Sequence, residues 1–180
     1  MSRAASTTPL RKKWRLFRRN RRGSAAVEFA LVAPLFFALL FAILETGIMF
    51  FASQVLETMT ANASRLIMTG TEQNSGTSSA ADFHQKVCNQ IPALFDCSSI
   101  YVDVQTVPAF SNVSFSSPID ANGIFTPPSN YAPGGSSSIV VVRVFYPWQL
   151  FVTGFGYNIS NMAGSKRLLT ATTVFQNEPY

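Results

Sequence analysis

From Ala25 to Leu44 the chain is apolar at every position except Glu28, and apolar character resumes from Gly47 to Ala52. Twenty residues of helix reach about 30 Å, the thickness of a bilayer's hydrocarbon core. This run dictates a membrane-spanning helix, with Glu28 near one interface and Glu45 near the other, where Glu45 is read as simply leaving the lipid. Pro34 lies inside the span. It removes one backbone hydrogen bond and either permits a kink or serves as a packing device between subunits, and both readings stay open.

The charges are divided sharply. Nine of the fourteen basic residues precede Gly23 (Arg3, Arg11, Lys12, Lys13, Arg15, Arg18, Arg19, Arg21 and Arg22), and no acid accompanies them. The remainder holds five basic and nine acidic residues, net −4, so the overall +5 describes the tail and not the body. A basic tail alone would suggest nucleic acid or anionic lipid. Beside an apolar span it is a topological signal, holding that end in the cytoplasm and resting on anionic headgroups. Membrane lipid is therefore an expected partner and nucleic acid is not. A secretory signal is disfavoured: Ala61-Asn62-Ala63 has the cleavage pattern but lies too far beyond the apolar run. The arginine pairs make a weak twin-arginine signal, and the short sequons beginning at Asn62, Asn112 and Asn158 carry little.

Beyond the span the helix is expected to continue to about Thr69, giving one long helix over 24–69. Ile48, Ala52, Val55, Leu56, Met59, Ala63, Leu66 and Ile67 recur at helical spacing, opposite Ser53, Gln54, Glu57, Thr58 and Arg65. Such a stripe packs on a sheet or on partner helices, and Gly70 is placed to end it. A Ser/Thr/Gly/Asn linker covers 70–80. A domain over 81–180 then begins with a short helix, Ala81 to Leu94, burying Phe83, Val87 and Ile91. Strands are expected at Ser99–Val107, Ser138–Tyr146 and Arg167–Phe175, with a long loop at 108–137 pinned by Phe110, Phe115 and Phe125. The fold class is α+β: a long amino-terminal transmembrane and amphipathic helix with a small antiparallel sheet outside the cytoplasm.

Chemistry-bearing constellations are sparse. Cys88 and Cys97 are the only cysteines, and outside the cytoplasm a disulfide is their natural state. With His84 the only histidine, no usual zinc pattern forms, and His84 is read as a surface helix residue. Asp82, Asp96, Asp103 and Asp120 are isolated and read as solvated. Gly154-Phe155-Gly156 lacks the strand-to-helix setting of a phosphate loop. Tyr146, Trp148, Phe151, Phe155 and Tyr157 cluster around Pro147 as core or membrane-proximal packing. No catalytic set, metal site or cofactor site is expected.

The segment Arg22-Gly23-Ser24-Ala25-Ala26-Val27-Glu28-Phe29-Ala30 resembles the start of the TadE-like family, pseudopilins of the tight-adherence (Tad or Flp) pilus system. Val142-Arg143-Val144-Phe145-Tyr146-Pro147 is similar to that family's strand ending in an aromatic-proline step. Phe175-Gln176-Asn177-Glu178-Pro179-Tyr180 is similar to its acidic-proline ending. The resemblance implies a minor, pilin-like protein of the bacterial inner membrane and periplasm that aids assembly of an adhesive filament, and not an enzyme. Implied partners are a prepilin peptidase, other pilin-like subunits and the inner-membrane assembly machinery. Phe29 stands where the related major pilins usually carry tyrosine, and the outer domain is far larger than theirs, which argues for an accessory role.

The motif has a chemical rationale. Cleavage after Gly23 would remove all nine leader charges and free the amine of Ser24, making Glu28 the fifth residue of the product. A carboxylate there is costly in lipid unless paired, and the new amine of a neighbouring subunit is the nearest cation. Cleavage is thus assigned to Gly23 and Ser24, and assembly to Glu28 and Phe29. Two rivals use the same features: an unprocessed single-pass signal anchor whose outer domain binds a ligand or envelope partner, and, ranked last, an anchored periplasmic enzyme.

Overall fold

The computed structural model describes residues 23–76, 78–90, 94–154 and 157–180. The basic leader, Ile91, Pro92 and Phe155 lie outside the described residues. Its elements are helix α1 (Ser24–Met68), helix α2 (Ala80–Cys88), and strands β1 (Tyr101–Val107), β2 (Ile139–Gln149) and β3 (Lys166–Gln176). The strands form one antiparallel sheet in the order β1-β2-β3. The fold is therefore α+β, a long apolar amino-terminal helix with a small antiparallel sheet. Two compact units divide between Phe41 and Ala42.

Along 24–41, α1 exposes its apolar side chains, among them Val27, Phe29, Leu31, Val32, Leu35 and Phe36. It is long and apolar enough to cross a membrane. In the second unit one face of α1 is buried: Ala42, Glu45, Met49, Ala52, Leu56, Met59, Thr60, Ala63, Ser64 and Ile67. Steps of three and four place these on one stripe. Ile48, expected on that stripe, is exposed. Adjacent residues differ by about 100° around a helix, so either Ile48 or Met49 can face the core, and Met49 does. Two short hydroxyls missing from the expected stripe, Thr60 and Ser64, are buried because they donate to the carbonyls of Leu56 (2.8 Å) and Thr60 (2.7 Å). Gly70 ends the helix with φ +71°. The chain turns back through Gly70 N–H to Ile67 O and Glu72 N–H to Leu66 O. A Cβ at Gly70 would lie 2.5 Å from the ring of Tyr180.

The stripe packs on Phe83 and Val87 of α2, Val104 of β1, Val140, Val142 and Val144 of β2, and Leu169 and Ala171 of β3. The helix α2 is shorter than expected, ending at Cys88, and Ser79 caps it by accepting from Asp82 N–H. β1 begins two residues late because Cys97–Ser99 forms a short 3₁₀ turn capped by Asp96. β2 runs through Pro147 to Gln149. β1 stops pairing at Tyr101, opposite Phe145, so Pro147 sits where β2 has an open edge, the setting in which a sheet tolerates proline.

The loop 108–137 forms a third layer on the sheet face opposite the helices. The ring of Phe125 lies 5.2 Å from Tyr101 and 5.9 Å from Phe145, the half-exposed Phe115 ring lies 5.4 Å from buried Arg143, and Phe110 is exposed. The Asn130–Ala132 segment runs beside β1: Val104 N–H donates to Asn130 O and Ala132 N–H to Val104 O.

The two ends of the sheet meet different levels of α1. Glu178, just past β3, donates its N–H to Met68 O at 2.8 Å. At the other end, Phe151 and Val152, just past β2, donate to Glu45. The connection from β2 to β3 therefore lies beside Ala42, Glu45 and Thr46 of α1.

Candidate functional site

Gly23, Ser24, Glu28 and Phe29 sit at the start of α1, all exposed. A Cβ built on Gly23 meets nothing within 4 Å, so no contact within the described residues requires glycine there. The Ser24 hydroxyl donates to Glu28 Oε1 at 3.0 Å, one helical turn away. Among the described residues the motif is thus an exposed, self-bonded turn.

Glu45 is not the solvated interfacial acid expected. It is buried and accepts backbone N–H groups from Phe151 and from Val152, the latter at 3.1 Å to Oε2. One turn of backbone donors thereby satisfies a carboxylate that burial would otherwise penalise. A second clasp lies beside it: Tyr157 hydroxyl bonds the Thr46 hydroxyl and reaches Ala42 O at 3.5 Å. The aromatic cluster expected around Pro147 divides accordingly. Tyr146 and Trp148 stack edge-on with Phe95, with centroids 4.9 and 6.3 Å apart. Phe151 stands alone, 84% exposed. Glu45's role was invisible in sequence because its donors are more than 100 residues away and are backbone.

Cys88 and Cys97 form a disulfide, Cα to Cα 5.5 Å. It joins the end of α2 to the turn leading into β1. His84 is half-buried against it, with Nδ1 3.8 Å from Cys88 Sγ and Nε2 3.1 Å from Ile100 O, so it is not the surface residue expected. His84, Cys88 and Cys97 lie close enough together to hold a metal ion, but the disulfide uses both thiolates. The double substitution Cys88→Ser/Cys97→Ser is expected to cost about 2–3 kcal/mol, the loop-closure entropy of so short a ring. Denaturant unfolding of the full chain in detergent, with and without reductant, measures it. Equal midpoints for the wild-type chain in both conditions would contradict the crosslink.

Two polar networks complete the outer unit. Asp103 is wholly buried, not solvated. Arg143 is its register partner on β2 and donates Nε and Nη2 to Oδ2 at 2.9 and 2.7 Å. Asn130 and Gln105 add further donors. Burial pushes the Asp103 carboxyl up, but the hydrogen bonds from Asn130, Arg143 and Gln105 and the Arg143 charge outweigh it and hold it below the ordinary range. The guanidinium also lies 5.4 Å from the rings of Phe115 and Phe145. An open cavity of about 380 Å³ beside Arg143 is lined by Ser116, Asp120 and Pro127 among others. In the stretch read as a linker, Glu72 is fully buried and accepts from Lys86 (2.7 Å) and Tyr131 (3.1 Å). Hydrogen bonds to Asp82 and Glu72 hold the Lys86 ammonium above its ordinary value. Burial, aided by the Glu72 charge, pushes the Tyr131 phenol up to about 12. Both networks fasten the loop 108–137 to the framework, which is a structural task.

No curated protein and no solved structure matches the chain. Residues 23–65 do match the family model described as TadE-like protein, and the chain therefore carries a TadE-like segment that begins at Gly23 and fills most of α1.

Proposed function

We propose that the chain is a minor, pilin-like membrane protein that assists assembly of a Tad/Flp-type adhesive pilus and is cut after Gly23 by a prepilin peptidase. The observation that carries this reading is the TadE-like match, which begins at the glycine of the proposed cleavage site. TadE-like proteins are pilus-assembly components and not a known enzyme family. The nine basic residues before Gly23 support a cytoplasmic amino terminus in the inner membrane, with the sheet unit on the periplasmic side. The open surroundings of Gly23 fit a constraint imposed by an enzyme and not by the chain's own packing.

In this mechanism hydrolysis of the Gly23–Ser24 peptide bond yields a leader carboxylate and a new Ser24 amine. The leader leaves with its nine charges, whose passage through hydrocarbon would oppose extraction of the helix. Glu28, now the fifth residue, exchanges its Ser24 hydroxyl for the ammonium of a neighbouring subunit, and Phe29 packs beside it in the helix bundle. The other pilin-like subunits and the inner-membrane assembly machinery are the partners.

Intact-mass analysis of the chain from native membranes tests cleavage, with a species beginning at Ser24 expected. A chain that keeps its leader beside an active prepilin peptidase favours the unprocessed signal anchor. Glu28→Gln tests the assembly role. It keeps the span and Gly23, so insertion and cutting should match wild type, while cross-linking to pilin helices and surface piliation should fall severalfold at equal membrane levels. Normal pili in this variant would return Glu28 to an interfacial acid without a partner.

A further inference from the structure

Phe151 is the most exposed large apolar side chain of the described residues, at 84%. Its backbone is nevertheless held: its N–H donates to buried Glu45, Val152 repeats that bond, and Leu150 N–H bonds Ser165 O at 2.9 Å. Leu150 itself is buried. A lone exposed phenyl ring is ordinary on a protein surface; here its backbone is fixed, and aromatic and basic residues lie close to it in sequence.

The level of that ring follows from its partner. In the sequence Glu45 directly follows the apolar run Ala25–Leu44, whose twenty residues match one hydrocarbon thickness of helix, about 30 Å. Around Glu45, within the same compact unit, Ile43, Leu44, Ile48, Phe50 and Phe51 of α1 are exposed, and all belong to the apolar stretch that the sequence carries to Ala52. The neighbouring side chains are those favoured at a lipid–water boundary. Trp148 and Tyr157 are half-buried, and Lys166 is exposed next to Arg167 at the start of β3. Arg167 is oriented by its bond to Ile159 O at 2.7 Å.

We infer that the β2–β3 connection is a second membrane contact: clasped to α1 by Glu45 and by Tyr157, it inserts Phe151 into the outer edge of the same bilayer that α1 spans. The occupant is phospholipid, acyl chain against Phe151 and anionic headgroup beside Lys166. Lipid is favoured over a protein partner because the exposed apolar residues of α1 around Glu45 belong to the membrane-length apolar run, and aromatic and basic groups lie near Phe151 in sequence. The inference rests on α1 being a membrane anchor.

The test uses the full chain in phosphatidylcholine–phosphatidylglycerol nanodiscs, with para-fluorophenylalanine placed singly at Phe151, Phe36 or Phe110. Fluorine relaxation is measured with dissolved oxygen, which concentrates in lipid, and with a water-soluble nickel chelate. Phe36 lies in the span, and Phe110 follows the end of β1 farthest from Glu45. The oxygen-to-nickel ratio at Phe151 is expected to approach that at Phe36 and exceed that at Phe110 severalfold. A ratio at Phe151 equal to that at Phe110, with Phe36 still shielded from nickel, would overturn the inference and leave the anchor standing. Shielding of Phe151 from both agents would show that protein covers it, which also overturns the inference. Nickel access at Phe36 would overturn the anchor itself. In Glu45→Ala the ratio at Phe151 should fall toward that of Phe110 while Phe36 is unchanged. An unaltered ratio would remove Glu45 as the clasp.

Discussion

Gly23→Phe is expected to abolish the shorter species entirely, leaving one membrane-bound form that retains the leader. A phenyl group blocks the close approach that the scissile peptide needs, and every leader charge then stays on the helix. The substitution discriminates well because it should leave the fold intact: a Cβ at Gly23 has nothing within 4 Å to displace. Gly23→Ala, with a single methyl group, should be cut slowly and give both forms. Immunoblotting of membranes from cells with and without the peptidase reads the result. If the phenylalanine variant is cut as fully as wild type, the assignment of Gly23 fails. The nine retained charges predict a second effect. The uncut chain should resist extraction into filaments, since a charged side chain costs about 2.5–3.5 kcal/mol at the centre of a membrane helix even on the lowest scale.

Asp103→Ala is expected to destabilise the outer unit by about 3–5 kcal/mol, because it leaves the Arg143 guanidinium buried without its counter-charge. Asn130 and Gln105 lose their acceptor in the same step. The pair Asp103→Leu/Arg143→Met should recover most of the loss, since removing both charges together leaves neither stranded. Denaturant unfolding followed by Trp148 fluorescence measures both. The pH dependence gives a separate readout. The folded carboxyl is held below its ordinary value, so its contribution is complete above about pH 4 and is lost as pH falls through the folded value. Wild type should lose stability over that acid range, and Asp103→Ala should lack this component. An alanine variant as stable as wild type at neutral pH would mean that solvent reaches Arg143 and relieves it.

The long helix was legible because its two signals are local. An apolar run interrupted only by Glu28 is read directly, and steps of three and four from Met59 to Ile67 are read within one segment. Gly70 as terminator and the three strands were legible for the same reason, to within a few residues at their ends. The polar groups that matter were not. Asp103 is a buried acid only because register sets Arg143, 40 residues later, opposite it. Glu45 is buried only because β2 ends beside it. In the loop 108–137 the pin at Phe125 was legible, and the bond from Asn130 to Asp103 was not. The loop's role as a covering layer arises from Phe125 and Asn130 meeting residues on two strands. In each case a neighbour distant in sequence overrides what composition suggests. The amino-terminal motif was legible as a pattern, and the TadE-like match begins at its glycine.

The stripe on α1 also bears on which length changes the chain can accept. Deleting one residue anywhere between Thr46 and Arg65 turns one part of the helix about 100° against the other. Either Glu45 leaves its backbone donors or Ile67 leaves the core, and no local rearrangement restores both. The stretch from Ser111 to Ser117 is mostly exposed and imposes no such count. Insertions and deletions should therefore be excluded from the helix and tolerated near Ser111–Ser117, where the 108–137 segment carries few anchors.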